Sequence, residues 1–468
     1  MNLPNMLDAK KRTNKEVKTF DYKKLNITIN KTYYLKTYGC QMNEHDSENI
    51  CGMLENVGFK QIYDINKADV VILNTCAIRE NAHNKVFGFL GRVKHIKDNN
   101  KNLICVVCGC MAQEENVCNI LKDKYPWVNI VIGTHNLDNL INYIDQSIKN
   151  SKQLIEVYSK EGDITENIPV KRVSKYTAYV NIILGCDKFC TYCIVPYTRG
   201  KQRSRKKENI INEINSLIKE GYKEVVLLGQ NVNAYGKDIY DDYNLANLLS
   251  DVANTNIDRI RFVTSHPWDF TDDMIKVIKE NKNIMPHIHL PVQSGSNRIL
   301  KLMGRRYNKE SYLELVNKLK NNINNLSLTT DIIVGFPTET DEDFKETLDL
   351  VNKCEFDSAY TFIYSKRENT PASIMEGQVN ESAKKERLQI LNEKINYYSN
   401  LANQKLLNKT VKVLLISKSE KKDYVLCGYT ENMKLVNVKA DKSLLGTLQN
   451  VKITDVKSFS LDGEVNIK

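Results

Sequence analysis

Two stretches of this chain alternate short apolar runs with amphipathic segments, and that alternation narrows the possible folds more than any other feature. The first begins near residue 31. There "KTYYLKTYGC", "ADVVILNTC", "NLICVVCGC" and "WVNIVIG" read as strands, and "HDSENICGMLENVGF" as a helix ending at Gly58. Strands separated by helices form a parallel sheet covered on both faces, because each return to the same edge needs a crossover. The second begins near 173, with "AYVNIILGC", "EVVLLGQNVN", "RIRFVTSHP", "HIHLPVQSG", "LTTDIIVGFP" and "SAYTFIYS" as strands. Between the first two, "ENIINEINSLIKEGY" sets Ile210, Ile211, Ile214, Leu217 and Ile218 on one helix face. Six such units predict a partial parallel (β/α)6 barrel.

The last 60 residues differ. "KTVKVLLISKS", "YVLCGYT", "KLVNVKA" and "LQNVKIT" lie close together without helices, as in a small antiparallel β-barrel. The expected α/β fold therefore has five parts: a basic flexible extension over 1–30, an N-terminal parallel-sheet domain over 31–148, a polar linker over 149–172, the partial barrel over 173–403, and the β-barrel over 404–468. At 468 residues each folded part can bury its own core.

No apolar run approaches the length of about 20 residues that spans a bilayer. The opening "MNLPNMLDAKKRTNKEVKTF" lacks the apolar segment of a secretory signal, so a cytosolic protein without membrane partners is expected. In that compartment the 12 cysteines read as metal ligands or redox groups before they read as disulfides.

"GCDKFCTYC" places Cys186, Cys190 and Cys193 directly after the first strand of the barrel, the end at which parallel barrels do their chemistry. A structural zinc wants four ligands, usually as two pairs, and no second pair follows. Three thiolates on one loop suit a 4Fe-4S cluster with one iron left open. Cys40, Cys76 and Cys110 each end a strand of the first domain, and parallel strands share one edge, so these three also converge. Cys108 stands close enough to Cys110 to substitute for it. Cys51, Cys118, Cys354 and Cys427 have no such partners and read as buried structural cysteines. Other strand ends of the barrel carry Gln230, Asn231, Ser265, His266, His289, Gln293, Asp331 and Gly335, the candidate cofactor pocket.

"RGKQRSRKK" follows the three-cysteine loop and holds Arg199, Lys201, Arg203, Arg205, Lys206 and Lys207, a candidate set of phosphate contacts for RNA. Residues 409–468 carry eleven lysines against seven acids, on a barrel of the size that binds oligonucleotides. The formal net charge of +10 agrees with a polyanionic partner.

The loop with Cys186, Cys190 and Cys193 resembles the radical S-adenosylmethionine superfamily, in which the amino and carboxylate groups of the cofactor chelate the open iron. "TYGCQMNEHDSE", "LNTCAIRENA", "GCMAQ", "GCDKFCTYCIVPYTRG", "LLGQNVNAY", "HLPVQSGS" and "DIIVGFPTET" together resemble the tRNA methylthiotransferases, from about residue 33 to the C-terminus. That resemblance implies two 4Fe-4S clusters: one for radical initiation on Cys186, Cys190 and Cys193, and an auxiliary one for sulfur delivery on Cys40, Cys76 and Cys110. It also implies a C-terminal barrel of the TRAM type, an anticodon stem-loop as substrate, two S-adenosylmethionines per turnover, a one-electron reductant protein and a sulfur donor. The implied reaction replaces the C2 hydrogen of an adenosine beside the anticodon with a methylthio group. "TYGCQMN" is most similar to the branch acting on dimethylallyl-adenosine. Three alternatives stand beside it: a sibling acting on threonylcarbamoyl-adenosine, a radical enzyme with another reaction such as RNA methylation, and a non-catalytic RNA-binding protein with structural zinc.

Overall fold

Val70–Thr75 and Ile104–Gly109 are buried along their whole length, as parallel strands covered on both faces must be. The computed structural model describes residues 17–19, 30–77, 80–150, 152–158, 164–420 and 426–465. Apart from Val17–Thr19 and Asn30, the expected basic extension lies outside the described residues. The first part of the chain contributes β1 (Val17–Thr19), β2 (Thr32–Thr37), β3 (Lys60–Gln61), β4 (Val70–Thr75), β5 (Ile104–Gly109), β6 (Ile130–Ile132), β7 (Leu154–Glu156) and β8 (Ile164–Glu166). Strands β3-β2-β4-β5-β6-β7 form one parallel sheet.

Side chains alternate between its faces. Val70, Ile72, Val106 and Cys108 pack with the helices Gln41–Asn56 and Leu140–Lys149, and Val71, Leu73, Cys105 and Val107 with the helices Glu80–Asn99 and Glu115–Lys124. The stretch expected as a linker contributes two short strands among its described residues. Within it, β7 extends the sheet at its edge, and β8 pairs in parallel with β1.

The central part contributes β9 (Thr177–Asn181), β10 (Ile183–Leu184), β11 (Arg203–Ser204), β12 (Glu224–Leu228), β13 (Arg259–Phe262), β14 (His287–His289), β15 (Ser327–Val334) and β16 (Ser358–Ile363). Strands β9, β12 and β13 form one parallel triplet and β14, β15 and β16 another, joined by a bridge between Ile260 and Ile284. This is the six-stranded partial barrel. Its helices cover the outer face: Ile210, Ile214 and Leu217 enter the core, and Ile211 and Ile218 lie at its margin.

The helix Glu381–Gln404 leads to a closed five-stranded barrel of β17 (Thr410–Lys418), β18 (Leu426–Thr430), β19 (Leu435–Lys439), β20 (Leu448–Val456) and β21 (Leu461–Val465). The antiparallel expectation fails at one seam, where β19 and β21 run parallel. β21 escaped the sequence reading because "LDGEV" has little apolar character. Among the described residues, no helix is long and apolar enough to cross a membrane.

Candidate functional site

Cys40 sits at the start of the helix Gln41–Asn56, Cys76 follows β4, and Cys110 follows β5. Two glycines let these strand ends close together. A Cβ on Gly39 would stand 2.6 Å from Asn43 Oδ1 and 2.9 Å from the Cys76 Cβ, and one on Gly109 (φ +94) would stand 2.5 Å from both Asn74 Oδ1 and Thr75 O. Buried amides lace the ends. Asn43 Nδ2 donates to Asn74 Oδ1 at 3.2 Å and to Thr75 O at 3.0 Å, and Asn74 Nδ2 donates to Asn43 O at 2.8 Å.

The thiols of this set differ in acidity. A hydrogen bond from Cys76, with Arg199 nearby and burial opposing, brings Cys40 down to about 6. Burial pushes Cys110 up to about 11 even though Arg199 Nε donates to its sulfur at 3.1 Å. Cys108 is enclosed among Ile50, Ile72 and Val106 on a core face of the sheet, and burial raises its thiol well above the usual range. Cys110 instead packs with Ala77, Ile194 and Tyr197, facing the barrel's own cysteine loop. Cys51, Cys118 and Cys354 are buried as expected, whereas Cys427 is partly exposed on β18.

The antiparallel pair β10–β11 closes the base of the loop carrying Cys186, Cys190 and Cys193. Gly185 (φ +73) is needed there, because a Cβ would fall 2.0 Å from Lys201 O. The loop is braced internally by Cys186 N donating to Gly200 O at 3.2 Å, and externally by Thr191 N donating to Met303 O at 3.0 Å. Burial pushes Cys193 up to about 12 and raises Cys186 further. Sequence reasoning missed Arg305. It is buried, and it donates to Cys190 Sγ at 3.5 Å, to Pro291 O at 2.8 Å and to the Tyr307 hydroxyl at 2.9 Å. Nothing in "MGRRY" separates it from its exposed neighbour Arg306.

Among the described residues, Gln230 Oε1, Asn231 Oδ1, Asn233 Oδ1, Ser265 Oγ and His266 Nε2 are buried without a hydrogen-bond partner at the ends of β12 and β13. Each such atom costs about 1–3 kcal/mol unless a ligand or water meets it. A ligand rich in amino, carboxylate, hydroxyl and ring-nitrogen groups, such as S-adenosylmethionine, fits this set. Asp269, also missed, anchors the pocket: it pairs with Lys188 at 2.6 Å and Lys237 at 2.8 Å and accepts from Asn231 Nδ2 at 2.7 Å. Lys188 lies inside the cysteine loop, so Asp269 ties that loop to the pocket.

His289 and Asp331 pair with each other at 3.3 Å on the concave face. Gln293 (φ +73) bonds to β15 through its main chain. Gly335 departs from its expected role. Its missing side chain makes room for Lys384, whose Cγ a Cβ would approach to 2.3 Å.

In the run expected to hold RNA phosphates, several cations are engaged within the protein. Arg199 is buried against Cys110 and Asp46. Arg205 donates to Glu166 at 2.6 Å and Glu213 at 2.8 Å. Lys201 is buried, and Arg203 bonds to the carbonyls of Lys201 and Arg199. Acidic partners distant in sequence absorb Arg199 and Arg205, which leaves Lys206 as the exposed cation of the run.

The concave face also carries Tyr360 and Phe362, 62% and 39% exposed, on alternate positions of β16 beside Asp331 and Ile333 of β15. Tyr360 packs edge-on against His289. On the other triplet, Met42 and Cys40 of the N-terminal domain rest on Tyr179, Val226, Leu228 and Val263. The C-terminal barrel is gripped from within by β13: Arg259 donates to Tyr429 O at 2.8 Å and Lys412 O at 3.0 Å, and Arg261 to Thr430 O at 2.7 Å and Glu431 O at 2.8 Å.

Among the described residues, no group of three or more His, Cys, Asp or Glu side chains is arranged to hold a metal ion.

Residues 180–351 match the Radical SAM superfamily, 32–133 the uncharacterized protein family UPF0004, and 404–466 the TRAM domain. The chain is 52% identical over 466 residues to proteins of Staphylococcus aureus strains JH9 and Newman, covering 98% of this chain and 91% of each relative. Both relatives are named tRNA-2-methylthio-N(6)-dimethylallyladenosine synthase. Among solved structures, the radical S-adenosylmethionine methyltransferase TsrM from Kitasatospora setae shares the fold, with a TM-score of 0.52 at 12% identity over 74% of this chain and 77% of that one.

Proposed function

The chain belongs to the tRNA-2-methylthio-N(6)-dimethylallyladenosine synthase family of radical S-adenosylmethionine enzymes, and from that premise we propose how its residues divide the work. The reaction is methylthiolation of tRNA at C2 of dimethylallyl-adenosine beside the anticodon. That C–H is neither acidic nor electrophilic enough for acid–base chemistry. S-adenosylmethionine on a reduced 4Fe-4S cluster supplies the radical reactivity the step needs.

Cys186, Cys190 and Cys193 hold that cluster, and Arg305 orients Cys190. Gln230, Asn231, Asn233, Ser265 and His266 bind the cofactor, with Asp269 fixing Asn231 and Lys188. Cys40, Cys76 and Cys110 hold a second, auxiliary cluster for sulfur delivery, which makes two S-adenosylmethionines per turnover the expected stoichiometry. Tyr360 and Phe362 offer an apolar aromatic surface on which an alkylated adenine can stack. The lysine-rich C-terminal barrel holds the anticodon stem-loop, and the expected setting is the cytoplasm, with a one-electron reductant protein and a sulfur donor as partners.

The observation that carries this reading is the packing of Cys110 and Ala77 against Ile194 and Tyr197, which follow Cys193 in the chain. It supports an auxiliary site beside the loop that would start the radical. The test is nucleoside mass spectrometry on anaerobically reconstituted, reduced protein incubated with S-adenosylmethionine and tRNA bearing dimethylallyl-adenosine. A nucleoside heavier by one methylthio group in place of hydrogen supports the assignment. 5′-Deoxyadenosine without that product would place the substrate in a sibling branch, such as threonylcarbamoyl-adenosine.

A further inference from the structure

Arg199 belongs to the radical domain by sequence and to the auxiliary site by contact. It follows the helix Val195–Thr198, which itself follows Cys193, and its main-chain N–H donates to Val195 O at 2.8 Å. Its side chain crosses to the N-terminal domain, where Nε donates to Cys110 Sγ at 3.1 Å and the terminal nitrogen pairs with Asp46. Arg199 is 7% exposed and Ile194 and Tyr197 pack beside Cys110, so water does little to screen its charge.

We propose that Arg199 is a positioning residue that sets the reduction potential of the auxiliary cluster on Cys40, Cys76 and Cys110. This rests on the reading that those cysteines hold a cluster. A full positive charge with an N–H on a ligand sulfur favours the more negative, reduced form, and so raises the potential. Asp46 holds the guanidinium in place while its own charge offsets part of that effect. The two residues therefore act with opposite sign on the potential, although both contribute to packing. Because Arg199 is rooted in the segment after Cys193, the auxiliary site is electrostatically complete only when the two domains are docked.

The experiment uses full-length protein with Cys186, Cys190 and Cys193 changed to Ala, so that any remaining signal comes from the auxiliary site. Iron and acid-labile sulfide are measured first, and about four irons per chain are expected. A mediated redox titration followed by electron paramagnetic resonance then compares the parent with R199Q, R199K and D46N. R199Q is expected at a more negative potential than the parent, R199K between the two, and D46N at a more positive one. Should R199Q fail to load iron, R199K and D46N still keep a cation at the position and carry the comparison. Identical potentials across the variants, or Arg199 and Asp46 substitutions moving the potential in the same direction, would reduce the pair to packing and overturn the inference. Absence of iron from the parent would overturn the cluster reading itself, a separate and visible failure.

Discussion

Arg305 donates to the sulfur of Cys190 at 3.5 Å across 115 residues of chain, while its other nitrogens bond to Pro291 O and the Tyr307 hydroxyl. The barrel's cysteine loop is thus clamped from the far side by a buried cation. Arg305→Ala removes a charged donor worth about 1.5–3 kcal/mol per bond and leaves the Pro291 carbonyl with the longer bond from the Tyr307 hydroxyl, at 3.3 Å. Uncoupled formation of 5′-deoxyadenosine, followed by liquid chromatography, should fall by roughly 10- to 100-fold. An undiminished rate would show that the clamp plays no part in initiation.

Gly109 tests the auxiliary set by itself. Its φ of +94 and the 2.5 Å approach of Asn74 Oδ1 and Thr75 O leave no room for a methyl group. Gly109→Ala should displace Cys110, so that iron content drops by about half while S-adenosylmethionine cleavage persists and methylthiolation is lost. Cys76→Ala should give the same split. Loss of both activities together would point to general unfolding, which circular dichroism would reveal.

Asp269 predicts a pH dependence. Burial opposes its charge, but hydrogen bonds from Lys188, Lys237 and Asn231 prevail and hold it at about 2, below the ordinary 3.8. A depressed folded-state value stabilises the protein fully above about pH 4, and that stability is lost as the pH falls through about 2. The shift corresponds to roughly 2 kcal/mol. Urea unfolding of Asp269→Asn against the parent should show that deficit at pH 7 and a smaller one at pH 3. A deficit independent of pH would assign the effect to packing.

Tyr360 and Phe362 should matter to the nucleic acid and not to the cofactor. Stacking on an aromatic side chain is worth about 1–3 kcal/mol per base. Phe362→Ala should therefore lower kcat/KM for tRNA by roughly 5- to 150-fold, with 5′-deoxyadenosine formation in the absence of tRNA unchanged. Equal kinetics for parent and variant on tRNA bearing dimethylallyl-adenosine would remove the shelf from the substrate path.

The sequence was most readable where periodicity and position coincide. Strands β4 and β5 open on apolar runs, and a cysteine soon after each of β2, β4 and β5 lets Cys40, Cys76 and Cys110 gather at one edge of the sheet. Burial of charge was not readable. In "RGKQRSRKK" every cation looks alike, yet Arg199 and Arg205 are claimed by Asp46, Glu166 and Glu213, which only the folded chain brings near. Arg305 and Asp269 stayed hidden for the same reason, because a solvated charge and an anchored one are the same letter. The edge strands β1, β3 and β7 are only two or three residues long, too short to establish a period.

Arg259 and Arg261 deserve a last consequence. Their guanidiniums reach out of the strand β13 to close on main-chain oxygens of Lys412, Tyr429, Thr430 and Glu431. The C-terminal barrel is therefore seated like a stopper and not tethered like a hand. A tRNA held there, as proposed, would meet a reaction centre at a fixed reach, and the fold would work as a ruler. Selecting one nucleotide in an anticodon arm then becomes a matter of measured length as well as of chemical fit.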